Sequence, residues 1–309
     1  MHYLFIRTLI VAISLSCIQP SYAALTRLVN FGENPGELTA SYYHSEENLS
    51  TAALVVLLHG CGQNAEAFAK QSGFLAQAKL HGFSLLLPQQ SRNNHNKLCF
   101  NWYNKSDHQK NAGENLSLKN MIVTIKAISR AEKVYIAGLS AGGAMASSLL
   151  FHYPELFDGG AIIAGLPYPC AENLQQALAC MNYGPANKSL NNQHDKVPKK
   201  KWPRVTIWTG VQDKIVNPVN AQVLAQQWVE LTGARLKASS AAKAVLNVSL
   251  SPVTLSASTA VTISDWHNSN GSIQVQLVEI DNIGHGIPVM PDVKGAGKSG
   301  DYLLEAPLS

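Results

Sequence analysis

The feature that most restricts the fold of this chain is the pentapeptide GLSAG at residues 138–142. An apolar strand pattern (KVYIA) precedes it and a helical pattern (AMASSLLF) follows it. A serine at a sharp strand-to-helix turn is lifted above the edge of a sheet, and the flanking glycines leave room for the strained backbone. The motif predicts Ser140 as a catalytic nucleophile; a Gly-Ser turn without chemistry is the alternative.

The rest of the chain alternates apolar strands with helical patterns. We predict strands at residues 53–59, 83–87, 133–137, 161–164, 204–208 and 273–280, the last of them nearer a sheet edge. We predict helices at residues 64–80, 116–131, 141–152 and 218–231. Strands that alternate with helices of this length form βαβ units, so we expect an α/β fold with a mostly parallel central sheet and helices on both faces.

Two stretches have weaker patterns. Residues 89–113 are polar and rich in asparagine, which is typical of a long loop. Residues 237–262 are rich in Ala, Ser and Val, and we expect a surface insertion or a hairpin there. Because no stretch has the composition of a linker, the sequence predicts a single catalytic domain over residues 24–309.

The first 23 residues have the pattern of a signal peptide. Arg7 provides a positive charge, residues 9–18 are apolar, and small residues stand at Ser21 and Ala23. The sequence therefore predicts a secreted protein, extracellular or periplasmic, after cleavage near Ala23; an uncleaved N-terminal anchor is the alternative. No later apolar run is long enough for a membrane span, so we expect no stable membrane insertion.

Export determines how the cysteines are interpreted. Of the five cysteines, Cys17 lies within the predicted signal peptide. The other four are an even number in an oxidising compartment, where disulfides form. Sequence spacing favours Cys61 with Cys99 and Cys170 with Cys180; free thiols and a metal site are the alternatives.

Composition and charge exclude several classes of protein. The chain has 309 residues, of which 46% are hydrophobic and 14% charged, so general disorder is not expected. The net charge is +4, and the basic run 199–201 lies in a polar stretch before a strand. We therefore expect no nucleic-acid partner. Our expectation for the oligomeric state is a monomer.

A nucleophilic serine needs a base, and the base needs an orienting acid. Asp213 follows the predicted strand 204–208, at the end of a sheet where open α/β folds build sites. His285 follows the last predicted strand and has a glycine on each side. These two residues are our candidates for acid and base; their rivals are Asp195, Asp265, Asp281 and His267.

An oxyanion hole needs backbone N–H donors aimed at the developing charge. The N–H of Ala141 directly follows the nucleophile at a helix N-terminus. The N–H of Cys61 lies in the loop after the strand 53–59, and we predict it as the second donor. For His59 we expect a structural hydrogen bond beneath this loop rather than a catalytic role.

Several segments together resemble the polyhydroxybutyrate (PHB) depolymerase family of esterases: HGCGQNAEAFA, LLLPQQSRNNHNKLCFNWYN, VYIAGLSAGGAMA, YPELFDGGAIIAGLPY, WTGVQDKIVNP and NIGHG. They are similar, more distantly, to feruloyl and acetylxylan esterases. The resemblance implies an α/β-hydrolase fold, the triad Ser140–Asp213–His285, and Cys61 and Ala141 as oxyanion donors. It further implies that Trp102 lines the substrate cleft, and that no metal or organic cofactor is needed.

The sequence thus predicts a secreted serine esterase that cleaves poly- or oligo(3-hydroxybutyrate)-type esters through an acyl-enzyme. A feruloyl or acetylxylan esterase has the same chemistry and a different cleft. A non-catalytic secreted binding protein on a hydrolase scaffold is the alternative from another class of function.

Overall fold

The structure is a computed structural model that describes residues 25–44, 53–186, 201–236, 242–248, 257–289 and 302–303. The predicted signal peptide and its cleavage site lie outside the described residues. Within the described ranges, no helix is long and apolar enough to cross a bilayer.

A central sheet of 11 strands forms the frame of the molecule. In chain order, the strands of the structure are β1 (Thr26–Arg27), β2 (Thr39–Tyr43), β3 (Ala53–Leu58), β4 (Ser84–Gln89), β5 (Lys133–Leu139), β6 (Gly159–Ile163), β7 (Arg204–Gly210), β8 (Arg235–Leu236), β9 (Ala242–Val248), β10 (Ala257–His267), β11 (Ile273–Ile280), β12 (Pro288–Val289) and β13 (Tyr302–Leu303). The order across the sheet is β1-β2-β4-β3-β5-β6-β7-β11-β10-β8, with β9 paired to β10. Strands β12 and β13 form a separate parallel pair.

The middle of this sheet is parallel and its two flanks are antiparallel. Strands β4, β3, β5, β6, β7 and β11 run in the same direction. Strand β2 pairs antiparallel with β4 at one side, and β10 pairs antiparallel with β11 at the other. The mostly parallel sheet of the sequence prediction is therefore confirmed.

Helices cover both faces of the sheet, as the apolar patterns predict. They are α1 (Ala65–Gln71), α2 (Phe74–His81), α3 (Lys105–His108), α4 (Gly113–Ser129), α5 (Ala141–His152), α6 (Leu174–Tyr183) and α7 (Val219–Thr232), with a 3₁₀ turn at Pro154–Leu156. Helices α4, α5 and α7 contribute to one core, and α1 and α2 to another on the opposite face. Strand β3 serves both, because Val56 and Leu57 point to opposite faces.

The structure differs from the predicted elements at two clear points. The helix predicted at 64–80 is two helices, because Gly73 adopts φ 80° between α1 and α2. Such a left-handed conformation suits glycine and ends a helix. The strand predicted to end before Pro88 continues through it. Beyond Leu86, β4 pairs with β2 and no longer with β3, so the missing N–H of proline removes no bond on the β3 side.

The antiparallel flanks were not predicted strand by strand. Strand β11 lies inside the sheet, because β10 and β8 follow it toward the edge. The weakly patterned stretch 237–262 contains β9 and the start of β10, which pair antiparallel from Ala257 with Val248 to Ile263 with Ala242. A hairpin, one of the two expectations for this stretch, is what the structure has.

Backbone hydrogen bonds align the carboxyl ends of the central strands. The N–H of Ser140 donates to the carbonyl of Ile163 at 2.9 Å. The N–H of Ala164 donates to Trp208 at 2.8 Å, and the N–H of Val211 donates to Ile280 at 2.9 Å. The loops that follow β5, β7 and β11 therefore leave the sheet along the same edge, where α/β folds place their sites.

Candidate active site

Ser140 lies at the turn between β5 and α5, in a strained backbone conformation. Its φ is 57° and its ψ is −119°, and it occupies the N-cap of α5. A Cβ at position 138 would clash with the carbonyl of Gly142, and a Cβ at position 142 would clash with the carbonyls of Leu58 and His59. Both glycines are therefore required by close backbone approach, and the turn is as sharp as the GLSAG motif predicts.

Asp213 lies in the loop after β7, with its side chain fully buried. Its Oδ1 accepts hydrogen bonds from the N–H groups of Ile215 at 2.8 Å and Val216 at 2.9 Å. Its Oδ2 accepts a hydrogen bond from Nδ1 of His285 at 2.8 Å. Each oxygen has its own donors, so the carboxylate is fixed in orientation and faces the imidazole.

His285 lies in the loop after β11, next to the loop of Asp213. The N–H of Gln212 donates to the carbonyl of Ile283 at 2.9 Å. A Cβ on Gly210 would clash with the carbonyls of Ile283 and Gly284, so glycine lets the two loops touch. The His285 side chain keeps 20% of its surface exposed, and among the described residues no hydrogen bond involves its Nε2.

The structure brings together two members of the predicted triad and leaves one contact unmade. Among the described residues, no hydrogen bond joins the Ser140 hydroxyl to His285. In free enzymes such contacts are often long and tighten when substrate binds. Of the rival acids, Asp265 instead accepts a hydrogen bond from Gln276 at 2.9 Å, and Asp195 lies outside the described residues.

Hydrogen bonds fix the loop of the predicted oxyanion donor on both sides of Cys61. The N–H of Gly60 donates to Oε1 of Gln63 at 2.7 Å, and the N–H of Gly62 donates to the carbonyl of Lys97 at 2.7 Å. Within the described ranges, no group accepts a hydrogen bond from the N–H of Cys61 or of Ala141. Cys61 is exposed at the surface, whereas Ala141 is buried.

Disulfides join Cys61 to Cys99 and Cys170 to Cys180, the pairing that the spacing favours. The first bond connects the loop of residues 60–63, which carries the predicted oxyanion donor Cys61, to the segment before Trp102. The second connects the segment before α6 to the helix itself. Within the described residues, no three His, Cys, Asp or Glu side chains come together as ligands for a metal ion.

Trp102 is more buried than a cleft wall requires. Only 8% of its surface is exposed, and it packs in the core that α4 and α5 share. The neighbouring Tyr103 is half-buried, meets the Trp102 ring edge-on at 5.4 Å, and contacts Nε2 of His95 through its hydroxyl at 3.2 Å. The role of Trp102 in substrate binding stays a prediction.

A buried polar network beneath the loop of residues 60–63 was not predicted from the sequence. His59, Gln90 and Glu114 are each at most 1% exposed. Gln90 donates through its backbone N–H to His59 and through its side-chain amide to Glu114. The sequence signal that could have indicated this network was the pair Gln89 and Gln90 at the carboxyl end of β4, which is where α/β folds place site residues.

Burial shifts the pKa of both ionisable groups in this network. Desolvation lowers the pKa of His59 to about 4, although the carbonyl of Gly60 partly opposes this. Desolvation also raises the pKa of Glu114 to about 8, against the N–H donors of Asn101 and Gln90, which favour the carboxylate. His59 is therefore neutral at pH 7, and the expectation of a structural role for it agrees with these contacts.

Comparison with known proteins identifies the family. The family model "Esterase PHB depolymerase" matches residues 38–247, more than half of the chain. Poly(3-hydroxyalkanoate) depolymerase C of Paucimonas lemoignei is 32% identical over 315 residues, which cover 98% of this chain and 70% of that protein. Feruloyl esterase B of Talaromyces funiculosus is 27% identical over 68% of this chain, and the match spans 63% of its length.

Solved structures agree on the fold. An acetyl xylan esterase from Aspergillus awamori superposes with a TM-score of 0.70 at 18% identity, covering 85% of this chain and 94% of that chain. LpqC, a poly(3-hydroxybutyrate) depolymerase from Bordetella parapertussis, superposes with a TM-score of 0.51 at 14% identity, covering 85% of each chain. The fold is that of the α/β-hydrolases, and the chain belongs to the PHB depolymerase family of esterases.

Proposed function

We propose that this protein is a secreted serine esterase that hydrolyses poly- or oligo(3-hydroxybutyrate)-type esters with Ser140, Asp213 and His285 as its triad. The observation that carries the proposal is the 2.8 Å hydrogen bond between Asp213 and His285. The loops that carry these two residues leave the sheet at the same edge as the turn that carries Ser140. The burial of Asp213 supports its role, because a carboxylate held by two backbone donors does not rotate away from the imidazole.

Each residue of the proposed triad takes one part in the reaction. With Nδ1 donating to Asp213, neutral His285 presents a free electron pair at Nε2 and removes the proton from Ser140. The Ser140 oxygen attacks the ester carbonyl, and Asp213 stabilises the imidazolium that forms. The alkoxide leaves with a proton from His285, and water then hydrolyses the acyl-enzyme by the same base.

The N–H groups of Cys61 and Ala141 are proposed as the oxyanion donors. Both are without an acceptor within the described part of the chain, and a buried N–H such as that of Ala141 normally has one. A carbonyl oxygen that becomes negatively charged at Ser140 supplies that acceptor. Because these donors are fixed before the reaction, they stabilise the transition state without reorganisation.

The substrate class rests on the relatives. The match to poly(3-hydroxyalkanoate) depolymerase C covers 98% of this chain, whereas the match to feruloyl esterase B covers 68%. Hydroxyalkanoate esters are therefore the proposed substrates. Secretion, with cleavage near Ala23, is supported by the disulfides, which persist in oxidising compartments. N-terminal sequencing of the exported protein, with Ala24 as the first residue, tests this part.

The nucleophile is tested with Ser140→Ala, and Ser147→Ala in the same helix is the matched control. We expect Ser140→Ala to remove ester hydrolysis and labelling by a fluorophosphonate, on the scale of about 10⁶ in kcat known for such knockouts. The control should keep both. Soluble 3-hydroxybutyrate oligomers, PHB granules, methyl ferulate and acetylated xylan, assayed side by side, test the substrate. Faster turnover of methyl ferulate or acetylated xylan would replace the proposed substrate class and leave the triad standing.

A further inference from the structure

In the Gly60–Cys61 peptide, the carbonyl and the N–H lie in one plane and point in opposite directions. Because a peptide bond is planar and trans, the direction of the Gly60 carbonyl also sets the direction of the Cys61 N–H. Nδ1 of His59 donates to this carbonyl at 2.7 Å. The orientation of a proposed oxyanion donor is therefore held from beneath by a buried imidazole.

The tautomer of His59 follows from its neighbours. The backbone N–H of Gln90 donates to Nε2 of His59 at 3.2 Å, and the side-chain nitrogen of Gln89 lies 3.2 Å from the same atom. Since both of these groups carry hydrogens, Nε2 must accept and the ring proton must sit on Nδ1. Gln89 and Gln90 thus place the ring proton of His59 on Nδ1, the nitrogen that contacts the Gly60 carbonyl.

Glu114 holds Gln90 in place. The amide nitrogen of Gln90 donates to Oε1 of Glu114 at 2.5 Å and to the carbonyl of Cys99 at 3.0 Å. The other carboxyl oxygen, Oε2, accepts the backbone N–H of Asn101 at 2.8 Å. Glu114 and Gln90 together therefore fix the chain on both sides of Phe100, and Cys99 is the disulfide partner of Cys61.

Two series of contacts connect the Glu114 carboxyl group to the Gly60–Cys61 peptide. One passes through the hydrogen bonds of Gln90 and His59 to the Gly60 carbonyl. The other passes through the backbone of residues 99–101 and the disulfide to Cys61. Glu114 is fully buried, and within the described residues it has no ion-pair partner. A group so costly to bury is a candidate for a functional role.

We propose that Glu114 is a positioning residue for the esterase reaction: through Gln90 and His59 it sets the direction of the Cys61 N–H toward the oxyanion. The inference rests on the proposed function, because it needs Cys61 as a donor. Glu114 itself does not touch the reacting atoms. It acts on the transition state and leaves substrate binding unaffected, so its loss should lower kcat and leave KM nearly unchanged.

The test is Glu114→Gln, assayed at pH 8.5 with p-nitrophenyl butyrate and its thiono analogue. Glutamine fills the same volume but places an NH₂ against one of the two N–H donors that meet at Glu114. The thiono analogue develops charge on sulfur, a weak hydrogen-bond acceptor, and so depends little on the oxyanion hole. Because complete loss of one donor costs about 10²–10³, we expect misaiming to lower kcat about tenfold for the ester and about twofold or less for the thionoester.

Ser117→Ala is the matched control, since Ser117 is buried in the same helix one turn further on. Its hydroxyl accepts the N–H of Gly36 at 2.9 Å and has no bond to Gln90 or His59. We expect this variant to lose stability and keep the ester-to-thionoester ratio. If Glu114→Gln does not fold, Gln90→Met, which removes the amide between Glu114 and Cys99, should lower the ratio in the same way.

The outcomes separate this inference from the proposed function. An unchanged ester-to-thionoester ratio in folded Glu114→Gln, or in Gln90→Met, would overturn the positioning role while an inactive Ser140→Ala still supported the triad. An equal fall in Ser117→Ala would also overturn it, because the effect would then come from helix α4 as a whole. Normal activity in Ser140→Ala would instead remove the proposed function itself.

Discussion

Replacing Asp213, the proposed acid of the triad, with asparagine removes the charge of its side chain while keeping its shape. In the structure, Oδ1 accepts two backbone N–H groups and Oδ2 faces Nδ1 of His285. Asparagine has one oxygen and one NH₂, so only one of these two sides can keep its acceptor. If the amide oxygen stays with the backbone donors, the NH₂ faces His285. The imidazole must then accept at Nδ1 and carry its proton on Nε2, where it cannot receive the proton of Ser140.

The size of the effect follows from the alternative orientation. Turning the amide around restores the productive tautomer but leaves the N–H groups of Ile215 and Val216 facing an NH₂. Each buried donor left unsatisfied costs about 1–3 kcal/mol, so the productive orientation lies about 2–6 kcal/mol higher. At about 1.4 kcal/mol for each factor of ten, we expect kcat to fall between about 30-fold and about 10⁴-fold. KM should change little, since Asp213 does not face the substrate.

The assay is steady-state hydrolysis of p-nitrophenyl butyrate at pH 7.5, with stability followed by thermal unfolding. Asp281→Asn is the control, because Asp281 directly follows β11 and was a rival for the same role. This control should keep its kcat. A folded Asp213→Asn enzyme with less than about a tenfold loss would contradict the reasoning, because the two backbone donors would then not be fixing the amide.

Three further expectations concern the disulfides, Trp102 and His59. Replacing Cys61 and Cys99 by alanine should lower the free energy of unfolding by about 4 kcal/mol by the loop-entropy relation, against about 3 kcal/mol for Cys170 and Cys180. Only the first pair should lower kcat. Chemical denaturation and kinetics check both expectations, and equal kinetic effects would count against a role for the first bond in the oxyanion loop. Trp102→Ala should destabilise the protein by about 3–5 kcal/mol, because the indole is buried in the core, and an unchanged melting temperature would contradict this. For His59, the folded pKa of about 4 lies below the unfolded value of 6.5, so the unfolded chain binds the proton first as the pH falls. Relative to His59→Asn, the wild type should therefore lose about 3 kcal/mol of unfolding free energy between pH 7 and pH 4, and a constant difference across that range would refute the assignment of a buried neutral imidazole.

Local sequence patterns were sufficient to predict the central strands and the helices that cover them. Helix α5 and strand β11 have the bounds that their apolar patterns predict. The GLSAG turn was predictable because its glycines meet backbone atoms only a few residues away or on the adjacent strand. Export indicated that the four remaining cysteines form disulfides, and their sequence spacing favoured the two local pairs. The helix, the strand and the contact between Gly138 and Gly142 depend on residues near in sequence or on a regular period.

The tertiary structure decided what depends on distant partners. The sequence favoured Asp213 over Asp265 and Asp281 by its position after a strand, but its contact with His285 is a hydrogen bond across 72 residues that only the tertiary structure gives. The burial of Trp102 follows from the core around it, which no local pattern around residue 102 encodes. Glu114 looks like an ordinary polar residue before a helix, and its partners Gln90 and Asn101 lie 24 and 13 residues away. A single polar side chain gives no periodic signal in the sequence. Whether it is exposed to solvent or buried in a hydrogen-bond network therefore depends on the distant residues that pack around it.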